Sequence, residues 1–167
     1  MISIRSATVD DAGLILSLIT ELAVYENARH EVVTDEAQIR RSLLEAGAKA
    51  SALIAEHDGE AIGYAVYFYN YSTWLGKPGL YLEDLYISKS HRGIGAGKAL
   101  LQRLAQQAVA EGCGRMEWSV LDWNTPAIEF YEAMGARPQS EWTVYRLTGD
   151  ALMDFGAPQS LGEGSKP

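Results

Sequence analysis

The chain has 167 residues, 47% of them hydrophobic, enough for one packed domain and too many for a disordered one. Asp and Glu number 22 against 14 Lys and Arg, giving a formal net charge of -8, and no basic run marks a nucleic-acid footprint. Cys113 is the only cysteine, which excludes an internal disulfide, and no apolar run approaches the roughly 20 residues a membrane helix needs.

Residues 2–7 alternate as a strand and lack a signal-peptide layout, so a cytoplasmic location is expected. Thr8, with Asp10 and Asp11 behind it, suits a helix start. Leu14, Ile15, Leu18, Ile19 and Leu22 then recur at helical spacing. Thr34 and Asp35 open a second predicted helix carrying Ile39, Leu43 and Leu44, which Gly47 ends. Residues 50–56 and 61–69 read as strands joined by an Asp58-Gly59 hairpin turn. A loop is expected over 70–79, then a strand over 80–88. The glycine-rich turn 91–97 leads into a helix with an apolar stripe of Leu100, Leu101, Leu104, Ala105, Ala108 and Val109. A strand is predicted over 115–121, a short helix from Thr125 and Pro126 through Tyr131, and a last strand over 142–147. The order predicts a mixed α/β domain over 1–155. Residues 156–167 form a polar tail without core pattern.

The turn Arg92-Gly93-Ile94-Gly95-Ala96-Gly97-Lys98 lies between a strand and a helix. Glycines there let backbone N–H groups converge on an anion, and the helix N-terminus adds partial positive charge. For glycines alone, a tight turn needed only for packing is the competing reading. A Walker A loop is excluded because Ala99, not Ser or Thr, follows Lys98. A dinucleotide fingerprint is excluded because neither Lys98 nor Leu100 supplies its last glycine.

What remains, Arg92-x-x-Gly95-x-Gly97, resembles the pyrophosphate loop of GNAT acetyltransferases. Further segments resemble the diamine acetyltransferase branch of that superfamily, which includes spermidine/spermine and thialysine acetyltransferases. They are Glu21-Leu22-Ala23-x-Tyr25-Glu26, Trp74-Leu75-Gly76-Lys77, Leu80-Tyr81-Leu82-Glu83-Asp84-Leu85 and Trp123-Asn124-x-Pro126-x-Ile128-x-Phe130-Tyr131. The resemblance implies a central sheet, mixed but mostly antiparallel, flanked by helices. It implies acetyl-CoA as cosubstrate, with backbone groups of Leu85, Tyr86 and Ile87 on the pantetheine arm. Arg92, Gly93, Ile94, Gly95, Ala96, Gly97 and Lys98 would hold the pyrophosphate, and Asn124, Thr125, Pro126 and Ala127 would complete the coenzyme site. Tyr131 would be the general acid, and Tyr25, Glu26 and Glu83 would line the amine site. Glu117, Trp118 and Ser119 occupy a substrate-facing position whose side chains do not match the family, which leaves the identity of the amine open. A homodimer is expected because the related enzymes are dimeric.

Acetyl transfer to an amine requires the amine to lose its proton. An alkyl amine titrates near 10.4, so freeing its lone pair at neutral pH costs roughly 4–5 kcal/mol. A carboxylate can attract the ammonium and relay that proton. Glu83 is the expected catalytic carboxylate. Its neighbour Asp84 should face the other side of a regular strand, reaching the site only if the strand bulges. Trp74 is a candidate cover for the amine's methylene chain or charge. His30, His57, His91 and Cys113 lack metal-ligand spacing, so no metal is expected. The expected partner is a small cationic amine, not nucleic acid or membrane. A non-catalytic acetyl-CoA binder and a protein or peptide acetyltransferase are the alternatives.

Overall fold

The computed structural model describes residues 1–158; residues 159–167 of the expected tail lie outside the described residues. The chain forms two compact units, Met1–Leu121 and a second from Asp122 onward.

The first unit is built on five strands in the order β1-β2-β3-β4-β5. They are β1 (Ile2–Ser6), β2 (Ser51–His57), β3 (Glu60–Ser72), β4 (Lys77–Ile87) and β5 (Met116–Trp118). The first four pair antiparallel and β5 pairs parallel with β4, the mixed, mostly antiparallel sheet expected. Parallel pairing requires a crossover, supplied here by a helix. Helices α1 (Ala12–Tyr25) and α2 (Glu36–Ile39) precede β2, and α3 (Ala96–Ala110) links β4 to β5.

One face of the sheet packs on α1 and α2. Ala12, Ile15, Leu18 and Ile39 meet Ala52, Ile54, Tyr64 and Tyr86 in one buried cluster. The apolar stripe of α3 buries Leu100, Leu101, Leu104 and Ala108 and packs along β4; Ala105 and Val109, expected in the same stripe, stay exposed on the edge of that face. At the start of the helical region the Asp11 carboxylate accepts from the Thr8 N–H at 2.7 Å and from both terminal nitrogens of Arg5 at 2.8 Å.

Several boundaries differ from expectation. The predicted second helix is capped by Asp35, whose side chain accepts from the Gln38 N–H at 2.7 Å. It runs as α-helix for only four residues and widens into a π turn, Arg40–Leu44. The predicted loop over 70–79 is mostly strand. Ser72 pairs with Lys77, leaving residues 73–76 as the turn. Pro78 and Gly79 read as breakers, yet Pro78 lies before β5 joins the sheet, at the start of a strand where proline is tolerated. Gly79 is required by close approach: an added Cβ would lie 2.3 Å from Asn70 Oδ1.

The second unit carries α4 (Thr125–Ala133) and α5 (Gly149–Phe155). The strand predicted over 142–147 does not form; these residues belong to neither helix nor strand. Trp142, Val144 and Tyr145 stay exposed. Alternation alone cannot hold a strand, whose stability comes from cross-strand partners.

Candidate active site

The site begins at a fault in the β3–β4 ladder. Val66 pairs with Asp84 and the next residue, Tyr67, pairs with Leu82. Glu83 is therefore an extra residue, a β-bulge. Paired residues share a face of the sheet. Tyr64 and Val66 belong to the face covered by α1, whereas the Tyr67 hydroxyl accepts from Gln107 Nε2 of α3 at 2.9 Å. Asp84 thus lies on the α1 face and Leu82 on the α3 face, although they are two residues apart. The alternation expected of a regular strand is broken at Glu83, and the bulge is what delivers Asp84 to this face.

The same point ends the pairing with β5. Among the described residues that ladder runs only from Leu80 with Met116 to Leu82 with Trp118. Beyond it, residues 84–87 of β4 pair on the β3 side alone among the described residues. Their other edge presents backbone groups of the kind an extended ligand can pair with. The edge opens beside the start of α3: an added Cβ on Gly97 would sit 3.8 Å from side-chain carbons of both Leu85 and Ile87.

The glycine loop continues this edge. Gly95 is the N-cap of α3 in a left-handed conformation, φ 91°, and Gly93 has φ 83°. No heavy atom lies within 4 Å of the Cβ position of either. The first helical bond runs from the Ala99 N–H to Gly95, so the N–H groups of Ala96, Gly97 and Lys98 precede the ladder. Lys98 adds a positive charge in the first turn, which contains no acidic residue. An open cradle, donor groups and a helix N-terminus fit a pyrophosphate. Arg92 turns inward instead. Its Nε donates to the Ile87 carbonyl at 3.1 Å. Its guanidinium lies 4.4 Å from the Tyr25 ring centre and 5.4 Å from that of Tyr86, a cation–π stack that ties the loop to the end of α1.

That end of α1 supplies the acidic side. Glu26 is the C-cap residue. Burial raises its carboxyl above the usual range, and the negative charge of Asp84 raises it further. Burial also raises the Asp84 carboxyl, opposed by the Tyr64 hydroxyl, which donates to Asp84 Oδ2 at 2.9 Å. Tyr64 has 0% exposure, and burial, then Asp84, push its phenol far above the ordinary tyrosine value. Nearby, the Ser88 hydroxyl donates to Glu21 at 2.9 Å, and burial and Glu21 raise the Tyr86 phenol. Perturbed acids that converge from separate elements mark a functional site more often than chance.

The remaining expected residues distribute less evenly. Glu83 is exposed at the bulge. Glu117 is paired with Arg115 Nε at 2.8 Å and accepts from Asn70 Nδ2 at 3.4 Å, so its charge is already met. Ser119 shares a 3.0 Å hydrogen bond with the Tyr81 hydroxyl. Trp118 stands opposite Leu82, on the face away from Asp84. Trp74, 89% exposed, sits in the β3–β4 turn. The strand from Lys77 to Glu83 spans about 20 Å, so within one chain Trp74 and the bulge are apart. In the second unit Asn124 is the N-cap of α4, Thr125 opens the helix, Pro126 follows in its first turn with Ala127, and Tyr131 lies on its last full turn, its ring 5.7 Å from that of Phe130.

Sequence reasoning missed two contacts. It assigned Tyr64 no role beyond the strand over 61–69, and it gave Arg92 to the pyrophosphate alone. A tyrosine between Gly63 and Ala65 on a central strand was the available signal for the first; nothing local announced the second.

The model of the acetyltransferase (GNAT) family matches residues 17–136. The chain belongs to this family. Thialysine N-epsilon-acetyltransferase of Bos taurus is 35% identical over 165 residues, covering 92% of this chain and 96% of that protein. L-ornithine N5-acetyltransferase of Arabidopsis thaliana is 49% identical over 96 residues, covering 58% of this chain and 42% of its own length. An integron cassette protein from the mobile metagenome of V. cholerae shares the fold at TM-score 0.77 and 23% identity, covering 92% of this chain and 96% of its own. The GNAT chain is accordingly an acetyl-transferring enzyme of a family whose cosubstrate is acetyl-CoA. Among the described residues no three His, Cys, Asp or Glu side chains converge on a metal position, and no described helix is long and apolar enough to cross a membrane.

Proposed function

We propose that this GNAT enzyme transfers acetyl from acetyl-CoA directly to the primary amine of a small cationic acceptor, with thialysine or a lysine-like amino acid preferred over a polyamine. The observation that carries the reading is Asp84. The bulge brings it to the α1 face, where Glu26 and Tyr64 meet it beside the unpaired edge of β4.

When bound, acetyl-CoA supplies an activated acetyl group as a thioester. The β4 edge at Leu85, Tyr86 and Ile87 holds the pantetheine arm, and the N–H groups opening α3 hold the pyrophosphate. Glu26 and Asp84 attract the ammonium, whose deprotonation costs roughly 4–5 kcal/mol at neutral pH. Glu83, solvent-exposed at the bulge, relays the amine proton outward. Asn124, Thr125, Pro126 and Ala127 complete the coenzyme site, and Tyr131 protonates the leaving thiolate. For these residues the support is the Asn124-x-Pro126…Tyr131 pattern at the start of α4. The thialysine and ornithine enzymes similar to this chain support an amino-acid amine. A homodimer is part of the same reading, supported by Tyr71 and Trp74, exposed at and beside the β3–β4 turn.

The test is steady-state coenzyme release with acetyl-CoA and a panel of thialysine, lysine, ornithine, spermidine, putrescine and basic peptides. The highest kcat/KM is expected on the amino-acid amines. Spermidine exceeding all of them would overturn the preference, and activity only on neutral or anionic amines would overturn the cationic site.

A further inference from the structure

We propose that Tyr64 is a positioning residue that orients Asp84 toward the acceptor amine through its buried hydroxyl. The proposal rests on the reading of Asp84 as an amine-site carboxylate.

Tyr64 has no solvent exposure and packs among Ala12, Ile15, Leu18 and Ile39. A phenylalanine would bury the same ring there without a polar atom. A buried phenol is costly unless its hydroxyl finds an acceptor, and here the acceptor is Asp84 Oδ2 at 2.9 Å. The bond exists because the bulge at Glu83 turns Asp84 onto the face of Tyr64. Packing fixes the ring, so the hydroxyl is a fixed point against which the carboxylate is held. With Oδ2 engaged, Oδ1 is the oxygen that meets an ammonium.

The groups around Asp84 define what the bond controls. Tyr64 comes from β3, Glu83 and Tyr86 from β4, and Glu26 from the end of α1, with Tyr25 adjacent to it and Glu21 about a turn behind. Arg92 from the loop lies over Tyr25 and Tyr86. Burial raises the Asp84 carboxyl and the Tyr64 hydroxyl counteracts it. Tyr64→Phe removes only the counteracting part, so Asp84 protonates at higher pH and the ionised fraction falls first on the acid side.

The experiment is Tyr64→Phe in the full chain, alone and combined with Asp84→Asn. It measures kcat/KM for lysine or thialysine against pH, coenzyme affinity by calorimetry and Tm. The acid limb of the profile should move to higher pH. KM for the amine should rise about tenfold at pH 7 with kcat changed far less, the scale of one hydrogen bond to a charged group. Coenzyme affinity should hold. In the Asp84→Asn background, Tyr64→Phe should change kcat/KM less than about twofold, because the partner is already gone. An unmoved acid limb, or equal losses in both backgrounds, would reduce Tyr64 to packing and overturn the proposal while the amine-site reading stands. Full activity in Asp84→Asn alone would instead overturn the reading on which it rests. Should Tyr64→Phe alone fold poorly, the double variant compared with Asp84→Asn decides: an equal Tm loss there marks a packing role and overturns the proposal.

Discussion

Replacing Gly95 with alanine separates backbone strain from coenzyme binding. Gly95 adopts φ 91° at the start of α3, and Gly112 adopts φ 73° just past its end. Neither has a heavy atom within 4 Å of its Cβ position, so alanine at either site meets strain but no clash. A left-handed non-glycine residue costs roughly 1–2 kcal/mol, which lowers Tm by about 2–8 °C in a chain of this size. Gly95→Ala and Gly112→Ala should therefore destabilise alike. Only the first disturbs the N–H groups proposed to hold pyrophosphate. Losing one charge-assisted hydrogen bond costs about 1.5–3 kcal/mol, or about 10- to 150-fold in Kd. Calorimetry with coenzyme A on both folded variants, alongside their Tm values, makes the comparison. Equal coenzyme affinity in the two would remove the loop from coenzyme binding. Gly97→Ala, whose Cβ meets Leu85 and Ile87 at an ordinary 3.8 Å, is a mild third member of the series.

Tyr131→Phe should lower turnover by about 10²–10⁴-fold, the range for a lost general acid, with coenzyme affinity unchanged; near-normal turnover with chemistry rate-limiting would assign Tyr131 to packing. Glu83→Gln should lower kcat/KM by roughly ten- to a hundredfold for a cationic amine and leave Tm nearly unchanged, since the side chain is exposed at a bulge. Asp11→Asn should destabilise the fold by about 1–2 kcal/mol at pH 7, once screening of the part-exposed Arg5 partner is allowed for. The Arg5 hydrogen bonds hold the Asp11 carboxyl down at about 2, so the stabilisation is full above the usual 3.8 and is lost as pH falls from there through about 2. Thermal melts from pH 7 to pH 2 should show wild type and variant converging at the acid end.

The parts of the fold legible in the sequence were those fixed by local chemistry. Asp58-Gly59 turned as expected because both residues adopt positive φ, 51° and 86°, the requirement of a two-residue hairpin. The α3 stripe and the glycine loop were legible because spacing alone specifies them. The bulge was not. It is a property of the pairing between β3 and β4, and neither strand's sequence states which residue of the other it will face. The same holds for residues 142–147, whose strand-like alternation found no ladder. In the proposed site, Tyr25, Glu26 and Glu83 stood out by motif. Asp84 was expected to reach it only through a bulge, which the β3–β4 register supplies, and no motif singled out Tyr64.

The acidic cluster also explains why a buried tyrosine is an acceptable neighbour. The influences on Glu26 and Asp84 are burial, the charge they share and the Tyr64 hydroxyl, and the Arg92 guanidinium is engaged by Tyr25, Tyr86 and the Ile87 carbonyl. Two carboxylates held this way are unfavourable in the free protein, since buried charge without a counter-ion opposes folding. The cost is tolerable because one hydrogen bond meets Asp84 and because Glu26, at the helix end, keeps part of its hydration. An incoming ammonium supplies the missing opposite charge. On the proposed reading, the cluster attracts a cation because two carboxylates meet there, and the bulge at Glu83 is the backbone irregularity that brings Asp84 to the α1 face beside the proposed coenzyme edge.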